Sequence, residues 1–169
     1  MNEALMDEYE RKRDRLRETY IANDAPGQIP GQTSQDSPVA TGGVDHLALI
    51  CSDLDATITF YIDILKMRLV KVISNRDEPT STHIFLDMGG GNMLAFFDFP
   101  NHGPARTVRG VGSMHHVALK ASPEKYQDIV QTLKTRGIAH SIHGSDQKGS
   151  VYMRDPDNIH VEVTTGYGF

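Results

Sequence analysis

From residue 43 onward the chain sets apolar runs and helical patterns in an order that it then repeats. Residues 44–50 (VDHLALI) predict a strand. Asp53 is placed to cap a helix in which Ile58, Tyr61, Ile62 and Leu65 recur at helical spacing. Residues 69–74 (LVKVIS), 83–88 (HIFLDM) and 93–99 (MLAFFDF) predict three strands, with Gly89-Gly90-Gly91 turning the last two into a hairpin. The order β-α-β-β-β then begins again. Residues 114–120 predict a strand, and Ser122-Pro123 opens a helix that buries Tyr126, Ile129, Val130 and Leu133 and stops at Gly137. Residues 139–142, 150–154 and 159–165 predict three more strands, the last two turning at Asp155-Pro156-Asp157-Asn158. Two such units, 43–100 and 113–169, predict an α+β domain in which the βαβββ modules pair into a curved, barrel-like mixed sheet around one central cleft.

The residues ahead of this domain read differently. Residues 3–21 are rich in Glu, Lys, Arg and Leu without Gly or Pro, and predict a helix with Leu5, Tyr9, Leu16 and Tyr20 roughly on one side. Residues 23–43 hold three prolines and few bulky apolar residues, as a linker or strapped-down segment does. The expected organisation is a helical arm and linker over 1–42 and the duplicated domain over 43–169.

Composition narrows the function classes. A net charge of −5 argues against nucleic acid and against an anionic membrane surface, and no apolar run approaches the length of a membrane span. The first residues lack the apolar segment of a secretory signal. The single cysteine, Cys51, excludes an internal disulfide and a cysteine-cluster metal site. A cytoplasmic protein is the expectation.

The chemistry sits in the repeat. His46-Leu47-Ala48-Leu49 and His116-Val117-Ala118-Leu119 put a histidine at matching places in two strands. Alternate residues of a strand share a face, so His46 goes with Ala48 and Ile50, His116 with Ala118, and His160 and Thr164 with Glu162 in the last strand. Glu162 lies between Val161 and Val163, where a carboxylate is costly to bury unless a cation meets it. His46, His116 and Glu162 are therefore the candidate metal ligands. The alternative is three polar residues that hydrogen-bond to one another. Matching the fourth strand to the last puts Ala95 opposite Glu162, or Leu94 after a one-residue slip. Neither can bind a metal. Two imidazoles and one carboxylate leave coordination positions open, the arrangement of non-haem Fe(II) oxygen chemistry; it also suits Mn(II) or another divalent metal.

The stretches VDHLAL, DLDATITFYIDIL, SMHHVAL and VYMRDPDNIHVEV resemble the vicinal oxygen chelate superfamily, over residues 43–169. Its members include glyoxalases, fosfomycin-resistance thiol transferases, bleomycin-resistance proteins and extradiol ring-cleaving dioxygenases. The resemblance is closest to single-domain extradiol dioxygenases. Those enzymes use His, His and Glu where His46, His116 and Glu162 stand, often with a His-His pair like His115-His116. They carry a tyrosine ten residues before the glutamate, here Tyr152, and a histidine nine residues before that, here His143. Their proton-transfer histidine falls on or near Asn92, and asparagine cannot act as a base. Ala95 counts against a glyoxalase, which usually has a fourth ligand there. The resemblance thus implies a divalent-metal-dependent dioxygenase, Fe(II) first, acting on a small and catecholic substrate. Tyr152 and His143 would be its catalytic groups, with Asn92 in the third catalytic place and His115 on the outer face. It also implies a homodimer. Two alternatives stay open: a lyase, isomerase or thiol transferase that uses the metal as a Lewis acid, and a metal-free binding protein of the bleomycin-resistance kind.

Overall fold

The strand-helix order emerges twice, as the pattern of the chain requires. The computed structural model describes residues 43–103 and 105–166, with Asp7, Arg11, Asp14 and Thr41. Residues 39–168 form one compact unit that carries every element named below. Asp7, Arg11 and Asp14 are helical and exposed. The rest of the helix expected over 3–21, and the linker up to Gly43 apart from Thr41, lie outside the described residues. Among the described residues no helix is long and apolar enough to cross a membrane.

The first module runs β1 (His46–Cys51), α1 (Leu54–Asp63), β2 (Arg68–Ser74), β3 (Thr82–Gly89) and β4 (Asn92–Asp98). The second runs β5 (Val117–Lys120), α2 (Pro123–Thr135), β6 (His140–Gly144), β7 (Gly149–Arg154) and β8 (His160–Thr164). Both helices begin on the caps expected of them. The Asp53 carboxylate accepts from the Ala56 amide at 3.0 Å, and the Ser122 hydroxyl accepts from the Lys125 amide at 3.4 Å with Pro123 in the first turn.

Each module makes its own four-stranded sheet, in the orders β1-β4-β3-β2 and β5-β8-β7-β6. The α+β class and the two βαβββ modules are as expected, and the two sheets do not close into a barrel. β1 and β5 are edge strands of two different sheets, and no backbone ladder joins them. Polar links between the modules run instead from α1 and the residues just before it to the β7–β8 turn and the C-terminal end of α2. The Tyr61 hydroxyl donates to Asp155 at 3.2 Å, the Ser52 amide donates to Asp157 at 2.9 Å, and Arg136 pairs with Asp63 at 2.8 Å.

One face of each sheet goes to a shared apolar core. It holds Leu94, Phe96, Ile84 and Leu86 from the first sheet, Val151, Met153, Val161 and Val163 from the second, and Tyr61, Tyr126 and Leu133 from the helices. The Tyr61 and Phe96 rings meet at 5.1 Å. The opposite faces carry the candidate chemistry. Cys51 lies on the core side, its thiol donating to the Phe97 carbonyl at 3.6 Å, and burial pushes that thiol up to about 11. The folded protein is expected to resist a thiol-specific disulfide reagent near neutral pH and to react in full once unfolded in guanidinium chloride. Rapid labelling of the folded chain would contradict this burial.

Candidate functional site

Strand pairing fixes which side chains share the open face of the second sheet. Ala118 of β5 lies opposite Glu162 of β8, which lies opposite Tyr152 of β7, which lies opposite Ser141 of β6. The next row is Lys120, Thr164, Ser150 and His143. This polar face backs onto an apolar one, so β8 reads polar and apolar in turn.

Glu162 is 1% exposed. The Nε2 atom of His116 stands 3.0 Å from its Oε2. Two donors each about 2.1 Å from one ion, at a right angle, lie about 3.0 Å apart, so this pair has the spacing of neighbouring ligands on one divalent cation. A buried carboxylate beside an imidazole, both oxygen or nitrogen donors, fits Fe(II) or Mn(II). Without a cation the same two atoms are satisfied by a proton on Nε2.

The histidine pair behaves differently from its expected alternation. β5 begins only at Val117, so His115 and His116 precede the pleat and need not point to opposite sides. Their Nδ1 atoms lie 2.6 Å apart, and the two rings sit 6.1 and 6.0 Å from that of His160. His115 therefore belongs to the same cluster and is not an outer-face residue. A hydrogen bond between the Nδ1 atoms fixes the tautomer: if His116 supplies it, His116 Nε2 is left free for a metal. Burial, then the nearby Arg154 charge, lowers the pKa of His160, which keeps its ring neutral near pH 7.

Tyr152 lies beside these groups, its ring 6.3 Å from that of His116 and 5.6 Å from that of His160. His143, exposed on the edge strand, sits with its ring 5.8 Å from Tyr152. The β6–β7 hairpin that carries it needs glycine at both ends. A Cβ on Gly144 or Gly149 would run into the backbone of the opposite strand, and both have positive φ.

The structure does not bring His46 to this pair. Among the described residues no group of three or more His, Cys, Asp and Glu side chains is placed to hold a metal ion. His46 stands on the open face of the first sheet, with Nδ1 2.6 Å from the Asp45 carboxylate and its ring against Phe85 at 5.6 Å. Its place in the repeat is nonetheless the one expected. Ala48 pairs with Ala95 as Ala118 pairs with Glu162, which decides between Ala95 and Leu94 and sets His46 equivalent to His116. Asn92 is also on the first module, at the start of β4, and its amide donates to the Gly90 carbonyl at 3.2 Å. Of the three expected catalytic positions, Tyr152 and His143 are neighbours and Asn92 is apart from them.

His83 escaped sequence reasoning. It shares the first open face with Phe85 and Phe97. Burial lowers its pKa, with His46 and Lys71 adding to the shift. The signal was present: His83, Phe85 and Asp87 alternate along β3, but their meaning depends on the register with β4.

The structure thus defines a duplicated βαβββ fold with a His–Glu pair on one open face. The family model "Glyoxalase/Bleomycin resistance protein/Dioxygenase superfamily" matches residues 43–163, and the chain belongs to that superfamily. The uncharacterized protein YwkD of Bacillus subtilis is 25% identical over 123 residues, covering 71% of this chain and 94% of YwkD. MhqA of the same organism, a ring-cleaving dioxygenase by name, is 31% identical over 81 residues, covering 46% of this chain and 25% of MhqA. The fosfomycin resistance protein FosX of Listeria monocytogenes, solved as a mutant with Mn(II) and 1S,2S-dihydroxypropylphosphonic acid, superposes with a TM-score of 0.58 at 20% identity, over 76% of this chain and 95% of FosX. That likeness shows the shared fold.

Proposed function

We propose that the protein is a homodimeric, divalent-metal-dependent ring-cleaving dioxygenase acting on a catecholic substrate. The observation that carries the reading is the His116–Glu162 pair, 3.0 Å apart and flanked by Tyr152 and His143. The likeness to MhqA supports the reaction class. Among the described residues of one chain no third ligand stands with the pair, and His46 occupies the equivalent place on the other open face. The site is completed when the first sheet of a second copy meets the second sheet of this one, so that His116 and Glu162 are joined by the partner's His46. A closed two-fold dimer makes two such sites.

Fe(II) is the proposed ion, with Mn(II) next; when bound, it would acidify the diol and relay electrons from the diol to dioxygen. The chain's own residues do the rest. Tyr152 donates a hydrogen bond from its hydroxyl to a substrate oxygen and orients the ring. His143, open to solvent, passes the proton that the diol releases. His160, held neutral, adds no charge that would compete with the metal. One dioxygen enters per ring. The carbon–carbon bond beside the diol breaks, and both oxygen atoms stay in the open-chain product.

Protein loaded anaerobically with Fe(II) is expected to consume one dioxygen for each catechol opened and to give a yellow ring-opened product. Tyr152→Phe is expected to lower kcat about a hundredfold while leaving the metal content unchanged. Bound metal with no oxygen uptake across a catechol panel would reject ring cleavage and leave Lewis-acid chemistry. Ligand binding without any metal uptake would reject the enzyme reading altogether.

A further inference from the structure

The second open face carries positive charge that the chain itself leaves unanswered. On the side of Glu162 away from Thr164, His160 of β8 pairs with Arg154 of β7, and the His116 ring lies 6.0 Å from that of His160. Alternation along β7 puts Arg154 on the same side as Tyr152 and Ser150. In the first module the matching row runs His46, Met93, Asp87 and Arg68. That row also holds an arginine, but Asp87 neutralises it at 3.4 Å. Arg154 stands where Asp87 does, so the second module keeps a cation in this row and has lost the acid. Arg154 is exposed, and its guanidinium donates to the Asn158 carbonyl at 3.1 Å. That bond uses one of five N–H groups.

A second arginine comes from the connection between the modules. The Ser113 hydroxyl accepts from the Gly110 amide at 2.9 Å and donates to the Gly110 carbonyl at 2.7 Å. This turn lies between Arg109 and the His115–His116 pair, and the Arg109 charge joins that of Arg154 in lowering the His160 pKa. Among the described residues neither arginine takes part in an ion pair. The chain has a net charge of −5, so cations left over on this one face are a local arrangement and not a bulk excess. A bound divalent ion does not use them. Glu162 and a singly deprotonated diol already balance such an ion.

We propose that Arg154 and Arg109 hold a carboxylate on the substrate's ring, so that the substrate is a catechol carboxylate and not a neutral catechol. A planar carboxylate takes two parallel N–H bonds from one guanidinium, and Arg154 keeps N–H groups for this beside its bond to Asn158. Rows two residues apart along a strand are about 7 Å apart, the reach of one six-membered ring with its substituents. A diol at His116 and Glu162 therefore leaves a carboxylate on the same ring within range of the Arg154 row. The inference rests on the proposed function for the diol and its ion; the preference for an acid is read by binding alone.

The test is titration calorimetry under nitrogen on the full-length protein, with and without Mn(II). The ligands are 3,4-dihydroxybenzoate and 4-methylcatechol, which carries a methyl group in place of the carboxylate. The acid is expected to bind at least about tenfold more tightly, and added salt should narrow the gap. Arg154→Gln and Arg109→Gln should each cut the ratio of affinities at least about threefold. Arg109 lies in an exposed connection, so its variant keeps the test decisive even if the Arg154 change unsettles the β7–β8 hairpin. Equal binding of the two ligands overturns the proposal, and so does a ratio that either variant retains in full. Absence of oxygen uptake by the iron-loaded enzyme, with the acid still preferred, would sink the dioxygenase reading and leave the arginine site standing. Ring cleavage with equal binding would do the reverse.

Discussion

Glu162→Gln is expected to fold normally and to lose metal affinity by at least about a hundredfold, with oxygen uptake lost alongside. The reasoning is local. Glutamine has the same shape, and its carbonyl can still accept from the His116 Nε2 proton across the 3.0 Å contact. What disappears is the negative charge in a site that is 1% exposed. In the metal-free protein that loss is neutral or mildly stabilising, because the buried charge had been costly to desolvate. Toward a divalent ion it removes the one anionic ligand. Isothermal titration with Mn(II), beside urea unfolding of the apo-protein, separates the two effects. Unchanged Mn(II) affinity would remove Glu162 from the ligand set. His46→Ala is expected to show the same loss, and mixing the variants tests where the third ligand comes from. A hybrid dimer has one intact site, made from Glu162 of the first variant's companion chain and the partner's His46. Random exchange of subunits should therefore restore about a quarter of the sites. Ligands drawn from one chain would give no recovery at all.

Much of this arrangement could be read from the chain. The doubled His-x-Ala-Leu strands announced the repeat, and alternation in β8 put Glu162 on the polar face between two core valines. Those signals are local, and local patterning survives folding. What could not be read depends on pairing over long distances. Whether β1 and β5 join one sheet or head two depends on how the modules meet, which involves contacts of Tyr61, Ser52 and Asp63 with residues 94, 105 and 73 positions away. The position of His115 depended on where β5 starts, and one residue of difference there decides whether alternation applies. His83 was overlooked for a related reason. A histidine in a strand gains meaning only when the register shows Phe97 beneath it and a matching serine in the other module.

The Asp155 carboxylate carries the largest stability effect. It accepts from the Asp157 amide at 3.0 Å, from the Ile159 amide at 2.7 Å and from the Tyr61 hydroxyl at 3.2 Å. Burial raises its pKa from 3.8 to about 6, against the lowering effect of those hydrogen bonds and with some help from the Asp157 charge. The folded state thus holds this proton more tightly than the unfolded chain does. Folding stability therefore increases as pH falls from about 6 to about 4, and the charged form costs up to roughly 2–3 kcal/mol above that window. Asp155→Asn keeps an oxygen for the two amides and offers an N–H to the Tyr61 oxygen. It should be at least as stable as the wild type near neutral pH and lose this contribution to the pH dependence. Asp155→Ala is the opposite case. It strands two backbone amides and a buried hydroxyl, and is expected to cost about 3 kcal/mol or more. Urea unfolding of the three proteins at both ends of the window measures both effects. An asparagine variant with the wild-type pH slope would show that Asp155 is not the group responsible. The same variants bear on the proposed metal site. Tyr61 belongs to α1 and Asp155 to the β7–β8 turn, so this contact ties the module carrying His46 to the module carrying Glu162. Each proposed site takes His46 from one chain and Glu162 from the other, so a loosened tie should reduce metal affinity in the alanine variant by altering how the two modules are presented to the partner, with no ligand touched.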